Sequence, residues 1–590
     1  MTRVTAGQAV VATLEQTGIR HAFTVPGESF LEILDALRDS SIRLVAVRHE
    51  AGAGFMAEAY AQLTGRPALC LVTRAVGAAN ISIALHTAMQ NSTPLVVLAG
   101  QVPRPFRGRE AFQEADLVAS FGALCKAAAE LDEPTTMAAG VGRLVEVAQT
   151  GRPGPVLIAL PEDALEEAIE DARATSDPAA GRPPAGGLAA TDVPAPPDSL
   201  VRDLLGRLSN ARRPVIVAGG GVLRSGAVAE LQAFAEATGL GVIAAWRRPD
   251  VFPNDSPRYL GATGLAAART VRARLREADV ILALGTRLSE VASFEYTVPG
   301  PATELLHVDI APGFGGARPA PALAVRADAR AFLRAALAVL AGTGESTRSG
   351  QSIRSARGRD PHRSSVADLA AQRAVDLARD RAAYVAAVEL PNVGPRGPDE
   401  PVHPATVVAA LRRHLAPGAI ITTDAGNFAG WVARYLPLPP GARFLGPTSG
   451  AMGYGLPAAV GAAIASRDQG APARPVVALA GDGGFAMLMA ELETAVREGL
   501  RLTVLVFDNA MYGTIRMHQE RAHPGRVAAT DLGRIDCAAF AEACGARGLR
   551  VAHDTEVEAA IAAALADPGV TLVHLLTDPR VISVDTTLPG

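Results

Sequence analysis

The stretch RPVVALAGDGGFAMLMAELETAVREGLRLTVLVFDNAMYG (474–513) decides the fold. RPVVALA (474–480) is a short apolar run that stops at GDGG (481–484), and FAMLMAELETAVREG (485–499) repeats its apolar residues at helical spacing. LTVLVF (502–507) is a second β-rich run, and it stops at DNAMYG (508–513). A strand–helix–strand unit of this length joins neighbouring parallel strands. Asp482 and Asn509 are therefore expected side by side at the carboxyl edge of a sheet. One carboxylate, one amide oxygen and nearby loop carbonyls suit Mg²⁺ carrying a diphosphate. Gly481, Gly483 and Gly484 let backbone N–H groups and a helix N-terminus close on phosphate oxygens.

The whole chain bounds what this unit can serve. Its 590 residues correspond to about four units of ~150 residues. The formal charge of −4 leaves no basic face for nucleic acid. Cys70, Cys125, Cys537 and Cys544 are too scattered for a disulfide framework. No run of 18 apolar residues occurs, and MTRVTAGQAVVATLEQTG (1–18) lacks a signal-peptide cleavage region. The expectation is a soluble cytoplasmic protein with no nucleic-acid or membrane partner. Lys126 is the only lysine, a pattern that an arginine-favouring coding bias also produces.

The same rhythm recurs on the amino-terminal side of this stretch, giving an α/β fold of three consecutive parallel-sheet domains. Residues 1–168 alternate Ala-rich helical patterns with HAFTV (21–25), RLVAV (43–47), PALCLVT (67–73), PLVVLAG (94–100) and GPVLIAL (154–160). A Pro/Gly/Ala-rich linker is expected at 169–198. Residues 199–340 carry PVIVAGGG (214–221), VILALGTR (280–287) and ELLHVDI (304–310). Residues 341–400 are polar and rich in Gly and Ser before an Ala/Arg-rich helical pattern, and predict a mobile linker. The third domain, 401–590, begins with HPATVVAALRRHL and the strand AIITTD (419–424).

With 24 residues between Gly483 and Asp508, the GDG and its Asn-containing turn resemble the fingerprint of thiamine-diphosphate (ThDP) enzymes. Three α/β domains in this order are similar to their decarboxylase-type members, and to the acetolactate synthase-like group above all. The resemblance implies pyrimidine-binding, central and diphosphate-binding domains. It also implies a homodimer or homotetramer with active sites at the subunit interface.

The resemblance places roles on numbered residues. Glu50, in RHEAGAGFMAEAY, is the carboxylate that hands a proton to the cofactor's aminopyrimidine ring. In TSGAMGYGLPAA (448–459), the Gly450 carbonyl accepts from the 4′-amino group and Met452 wedges between the two rings. Pro26, Gly426, Asn427, Tyr512 and Gly513 complete the cofactor contacts, with Phe428 restricted to its backbone. The metal ligands are Asp482, Asn509 and the main-chain carbonyl of Met511. Gln113, in REAFQEADLV (109–118), faces the reacting centre, and Lys126 follows near the substrate channel.

Four departures from the family pattern stand out. Asp508 replaces the usual first asparagine and adds negative charge beside the diphosphate; a hydrogen-bond donor is expected to compensate it. AVGAAN (75–80) replaces GPGATN, changing backbone freedom at the pocket wall. His518 stands where acetolactate synthases carry a tryptophan, and Val291 where they carry an arginine for the acceptor's carboxylate. PVIVAGGG, LGATG (260–264) and VDI (308–310) loosely resemble the parts that hold FAD. The reading is a ThDP- and Mg²⁺-dependent enzyme that decarboxylates a 2-oxo acid and joins the product to a carbonyl acceptor. The alternatives are a simple decarboxylase, benzoylformate- or oxalyl-CoA-like, and a catalytically impaired relative. A nicotinamide dehydrogenase would need a GxGxxG with a following acid in a βαβ unit, and none occurs.

Overall fold

Parallel strands covered on both faces need continuous runs of branched apolar residues, and the chain supplies them three times. The computed structural model describes residues 3–170, 193, 195–311, 320–348, 361–394, 397, 399–470 and 474–588. The first sheet contains β1 (His21–Thr24), β2 (Arg43–Ala46), β3 (Ala68–Thr73), β4 (Leu95–Gln101), β5 (Ala127–Glu130) and β6 (Val156–Pro161). Its order is β2-β1-β3-β4-β6-β5, all parallel. The central sheet contains β7 (Val215–Ala218), β8 (Gly241–Ala244), β9 (Tyr259–Ala262), β10 (Val280–Leu284), β11 (Glu304–Asp309) and β12 (Leu323–Arg326). It runs β9-β8-β7-β10-β11-β12, the doubly wound order, with its switch point between β7 and β10.

The third sheet contains β13 (Ile420–Thr423), β14 (Arg443–Leu445), β15 (Val476–Gly481), β16 (Leu502–Asp508), β17 (Arg547–Val551) and β18 (Val570–Leu576). Its order, β14-β13-β15-β16-β18-β17, repeats the pattern of the first sheet. The two outer domains are thus built alike around a different middle one. Among the described residues, no helix is long and apolar enough to cross a membrane.

The helices that matter for the site are α1 (Glu50–Thr64), α2 (Arg74–Asn91), α3 (Pro134–Gln149), α4 (Pro361–Ala387), α5 (Gly455–Asp468), α6 (Asp482–Leu488), α7 (Glu491–Arg497) and α8 (Gly513–Ala522). Small residues let α1 pack tightly: a Cβ on Gly54 would overlap Ala84 of α2, and one on Gly461 of α5 would overlap the Met56 carbonyl. Phe55 and Tyr454 meet edge to face at 5.2 Å, inside an apolar cluster shared by the first and third domains.

Two expectations change. The single helix expected at 485–499 is two, α6 and α7, because the chain turns at Met489–Ala490 and buries Glu491 against the first domain. The expected linker at 341–400 contains α4, whose Leu377, Tyr384 and Ala387 pack on the central apolar cluster. The polarity that suggests solvent is spent on ion pairs instead: Asp380 meets Arg213 at 3.0 Å and Arg274 at 2.8 Å. Residues 349–360 lie outside the described residues, as does most of the 169–198 linker.

Candidate active site

Gly481 of β15 pairs with Phe507 of β16, so Asp482 and Asn509 leave adjacent strands at the same edge. Burial, and then the charge of Asp508, raise the Asp482 carboxyl above its ordinary range. A carboxylate crowded in this way is relieved by a bound cation. Asn509 and the Met511 carbonyl lie in the turn that follows, where Ala510 has φ 57° and Gly513 N donates to Met511 O at 2.9 Å. One carboxylate, one amide oxygen and one carbonyl fit a hard divalent ion. Gly484 must lack a side chain, since a Cβ there would overlap Asp424 Oδ2. Burial pushes that Asp424 carboxyl up to about 7, against backbone donors at Gly455, Gly453 and Tyr454.

The donor that Asp508 requires is His574. Its Nε2 donates to Asp508 Oδ2 at 2.8 Å, and both residues are buried. Burial alone would raise the Asp508 carboxyl; the His574 hydrogen bond and the Arg534 charge outweigh it and hold it low. His574 lies on β18, directly beside β16, and is paired with Val506 in the register. Only the sheet order brings the two together, so no local sequence signal could find it.

The first domain assembles a second group at the carboxyl edge of its own sheet. Glu50 opens α1 behind the N-cap His49, whose ring Nδ1 accepts from Ala51 N at 3.0 Å. Asn80 Nδ2 donates to Glu50 Oε2 at 2.9 Å, and a Cβ on Gly77 would stand 3.4 Å from Glu50 Oε1. AVGAAN therefore forms the first turns of α2 and orients Glu50. Arg74, with φ 43°, precedes it and pairs with Glu162 at 2.9 Å. Ala75 N donates to Gln113 O at 3.4 Å, which brings Gln113 to the same helix start; its side-chain oxygen is buried without a partner. Pro26 follows β1 at this edge, next to Gly27, where a Cβ would overlap Thr73.

The remaining candidates lie around the third sheet. Gly450 (φ 75°) is exposed with open space at its α-carbon, and Met452 is half-buried two residues on. Gly426 has φ 150°, and Asn427 Nδ2 donates to Met517 Sδ at 3.6 Å. Phe428 stacks on Phe507 at 5.3 Å and so offers a ligand only its backbone. Tyr512 packs on Gly483.

Lys126 does not join these residues. It precedes β5 and so lies at the amino edge of the first sheet, whereas Gln113 follows β4 at the carboxyl edge. Its amine donates to the Val147 and Thr150 carbonyls at the end of α3, a helix C-terminus that favours a cation. His518 is exposed on α8, and Val291 is half-buried.

A separate cleft of about 620 Å³ opens at the switch point of the central sheet, lined by Gly220, Gly285, Asp309, Arg224, Arg248 and Arg287, among others. PVIVAGGG and VDI contribute Gly220, Gly221, Asp309 and Ile310 to its lining. LGATG does not: Gly261 packs on Tyr384 and Gly264 on Trp246.

Comparison with known proteins fits this geometry. The thiamine pyrophosphate enzyme models match in order, the N-terminal TPP binding domain over 4–120, the central domain over 201–336 and the C-terminal TPP binding domain over 424–575. The chain belongs to the thiamine pyrophosphate enzymes. Within that family it is similar to the acetolactate synthase isozyme 1 large subunit of Escherichia coli (strain K12), at 30% identity over 98% of this chain and 94% of the relative. It is 28% identical to a probable acetolactate synthase large subunit of Methanocaldococcus jannaschii, over 97% of this chain and 92% of that protein. A probable chloroplastic acetolactate synthase 2 of Oryza sativa subsp. japonica is 31% identical over 96% of this chain and 82% of its own length. This thiamine pyrophosphate enzyme is thus a ThDP-dependent carboligase or decarboxylase of the acetolactate synthase-like group.

Proposed function

We propose that the enzyme uses ThDP and Mg²⁺ to decarboxylate a 2-oxo acid and joins the resulting unit to a carbonyl acceptor. The observation that carries this reading is the crowded Asp482 carboxylate beside Asn509, at the shared carboxyl edge of β15 and β16. Asp482, Asn509 and the Met511 carbonyl would hold the metal, and Gly426, Asn427 and the Gly483–Gly484 amides the diphosphate. Bound ThDP supplies a nucleophilic carbon and an electron sink for the departing carboxylate's bond. Glu50 holds the proton exchanged with the aminopyrimidine ring, and Asn80 fixes the carboxylate that carries it. The Gly450 carbonyl and Met452 set the cofactor's bend. Gln113, whose amide oxygen is buried and unpartnered, would contact the substrate.

A homodimer or homotetramer is part of the proposal. Val76 and Ile83 stand exposed on the face of α2 that also carries Asn80, and Met487 and Ile515 are exposed beside the metal turn. A second subunit laid on these faces would enclose both groups of residues. The volume, arginines and switch-point position of the central cleft suit a dinucleotide such as FAD. An absorption spectrum of the purified protein tests that point.

Val291 supports a second reading, simple decarboxylation, because it provides no guanidinium for an acceptor's carboxylate. The test for both is incubation with ThDP, Mg²⁺ and a panel of 2-oxo acids, with and without aldehyde or keto-acid acceptors. Release of CO₂ together with a coupled product supports ligation, and CO₂ with a free aldehyde supports decarboxylation alone. No CO₂ from any 2-oxo acid overturns the proposal.

A further inference from the structure

Asn91, the last residue of α2, is 4% exposed and meets all three domains. Its side-chain oxygen accepts from Arg248 Nη2 at 3.0 Å, and Arg248 lines the central cleft. The same oxygen accepts from the backbone N of Thr448 at 3.2 Å and from its hydroxyl at 2.7 Å. Its side-chain nitrogen donates to Glu58 Oε1 at 2.9 Å. Its backbone carbonyl accepts from Arg224 Nη2 at 3.1 Å, a second residue of the cleft wall.

Glu58 extends the network. It is fully buried on α1, two turns beyond Glu50, and its Oε2 accepts from the Tyr454 hydroxyl at 2.7 Å. Thr448 and Tyr454 bracket the strap that contains Gly450 and Met452. The strap therefore hangs from two points of one buried network: Thr448 on Asn91 and Tyr454 on Glu58. Asn91 and Glu58 are joined to each other. An amide is the side chain that suits this junction, because one end accepts from Arg248 and Thr448 while the other donates to a carboxylate. An aspartate would set a second acid against Glu58, and an apolar residue would leave buried donors unpaired.

We propose that Asn91 is a positioning residue that ties the wall of the central cleft to the strap Thr448–Tyr454 and thereby sets the affinity for ThDP. The proposal rests on the ThDP reading of that strap. Arg248 and Thr448 act on the strap through one shared oxygen, so their contributions are coupled. Neither is among the residues assigned above to ThDP or the metal.

Calorimetric titration of ThDP at saturating Mg²⁺ tests this on the full-length protein. Arg248→Met and Thr448→Val each weaken binding about tenfold, and the double variant loses little more than either alone, the signature of two residues working through a third. Asn91→Asp weakens binding in the same way, and adding Glu58→Gln restores it, because an amide then again faces an acid. A merely structural role would not give that rescue. If Arg248→Met and Thr448→Val bind ThDP as the wild type does, or their losses simply multiply, the proposal is wrong. If Asn91→Asp is not rescued by Glu58→Gln, the junction does not act as described. Wild-type protein that binds no ThDP would instead overturn the functional reading, and this inference with it.

Discussion

Glu491 of the third domain accepts a hydrogen bond from the backbone amide of His49, the residue before Glu50, at 3.0 Å. The amide of Arg48 donates to the same carboxylate oxygen at 3.2 Å. Glu491 is fully buried, and a Cβ on Gly52 would overlap it. The turn that presents Glu50 is thus held from across a domain boundary, by α7, the second helix after GDGG. One short crossover supplies the edge proposed for the metal at its start and steadies the turn of Glu50, the proposed catalytic carboxylate, further along.

That contact makes stability depend on pH. Burial pushes the Glu491 carboxyl up to about 7 from an ordinary 4.5, in spite of its Thr494, Arg48 and His49 donors. The unfolded chain therefore releases this proton first as pH rises, and the folded state loses stability from about pH 4.5 to about 7. Thermal unfolding of the cofactor-free protein across pH 4.5–8, compared with Glu491→Gln, checks it. The wild type should lose ground relative to the variant as pH climbs through this window. Parallel curves would disprove the assignment.

His574 is expected to be indispensable only because residue 508 is an acid. His574→Leu strands the Asp508 carboxylate in a buried site and should cost about 3 kcal/mol of stability. Adding Asp508→Asn should recover most of that loss, since burying a neutral amide costs far less than burying a carboxylate. Chemical denaturation of the single and double variants measures both. A double variant no more stable than His574→Leu would rule the pairing out.

Lys126 gives a prediction of the opposite kind. Its amine caps α3 at the amino edge of the sheet, so Lys126→Met should lower stability by about 1 kcal/mol. Turnover at saturating substrate should stay within about twofold of the wild type, as for a change outside the catalytic network. A large fall in kcat with unchanged stability would return Lys126 to the substrate channel.

Much of this architecture can be read from local pattern. Apolar runs ending in GDGG and DNAMYG encode a parallel crossover, and the small residues of EAGAGFMAEA announce a helix that packs closely. What resists such reading depends on pairings across the chain. Lys126 is near Gln113 in sequence, but a strand begins after one and another ends before the other, so they fall on opposite edges of the sheet. The polarity of 341–400 suggests solvent, whereas Asp380 and Arg381 of α4 meet partners on the central domain. His574 and Glu491 become visible only once β16 lies beside β18 and α7 meets α1. AVGAAN departs from GPGATN in its first two residues and its fifth but keeps the final asparagine, Asn80, whose amide donates to Glu50.

Glu50 is proposed to activate ThDP bound at the GDGG edge. Hydrogen–deuterium exchange at the cofactor's C2 position, followed by quenched-flow NMR on the Mg²⁺-loaded protein, tests it most directly. The wild type should exchange the C2 proton at least about 100-fold faster than Glu50→Gln, with both proteins binding ThDP. Equal exchange rates in two proteins that both bind the cofactor would contradict it.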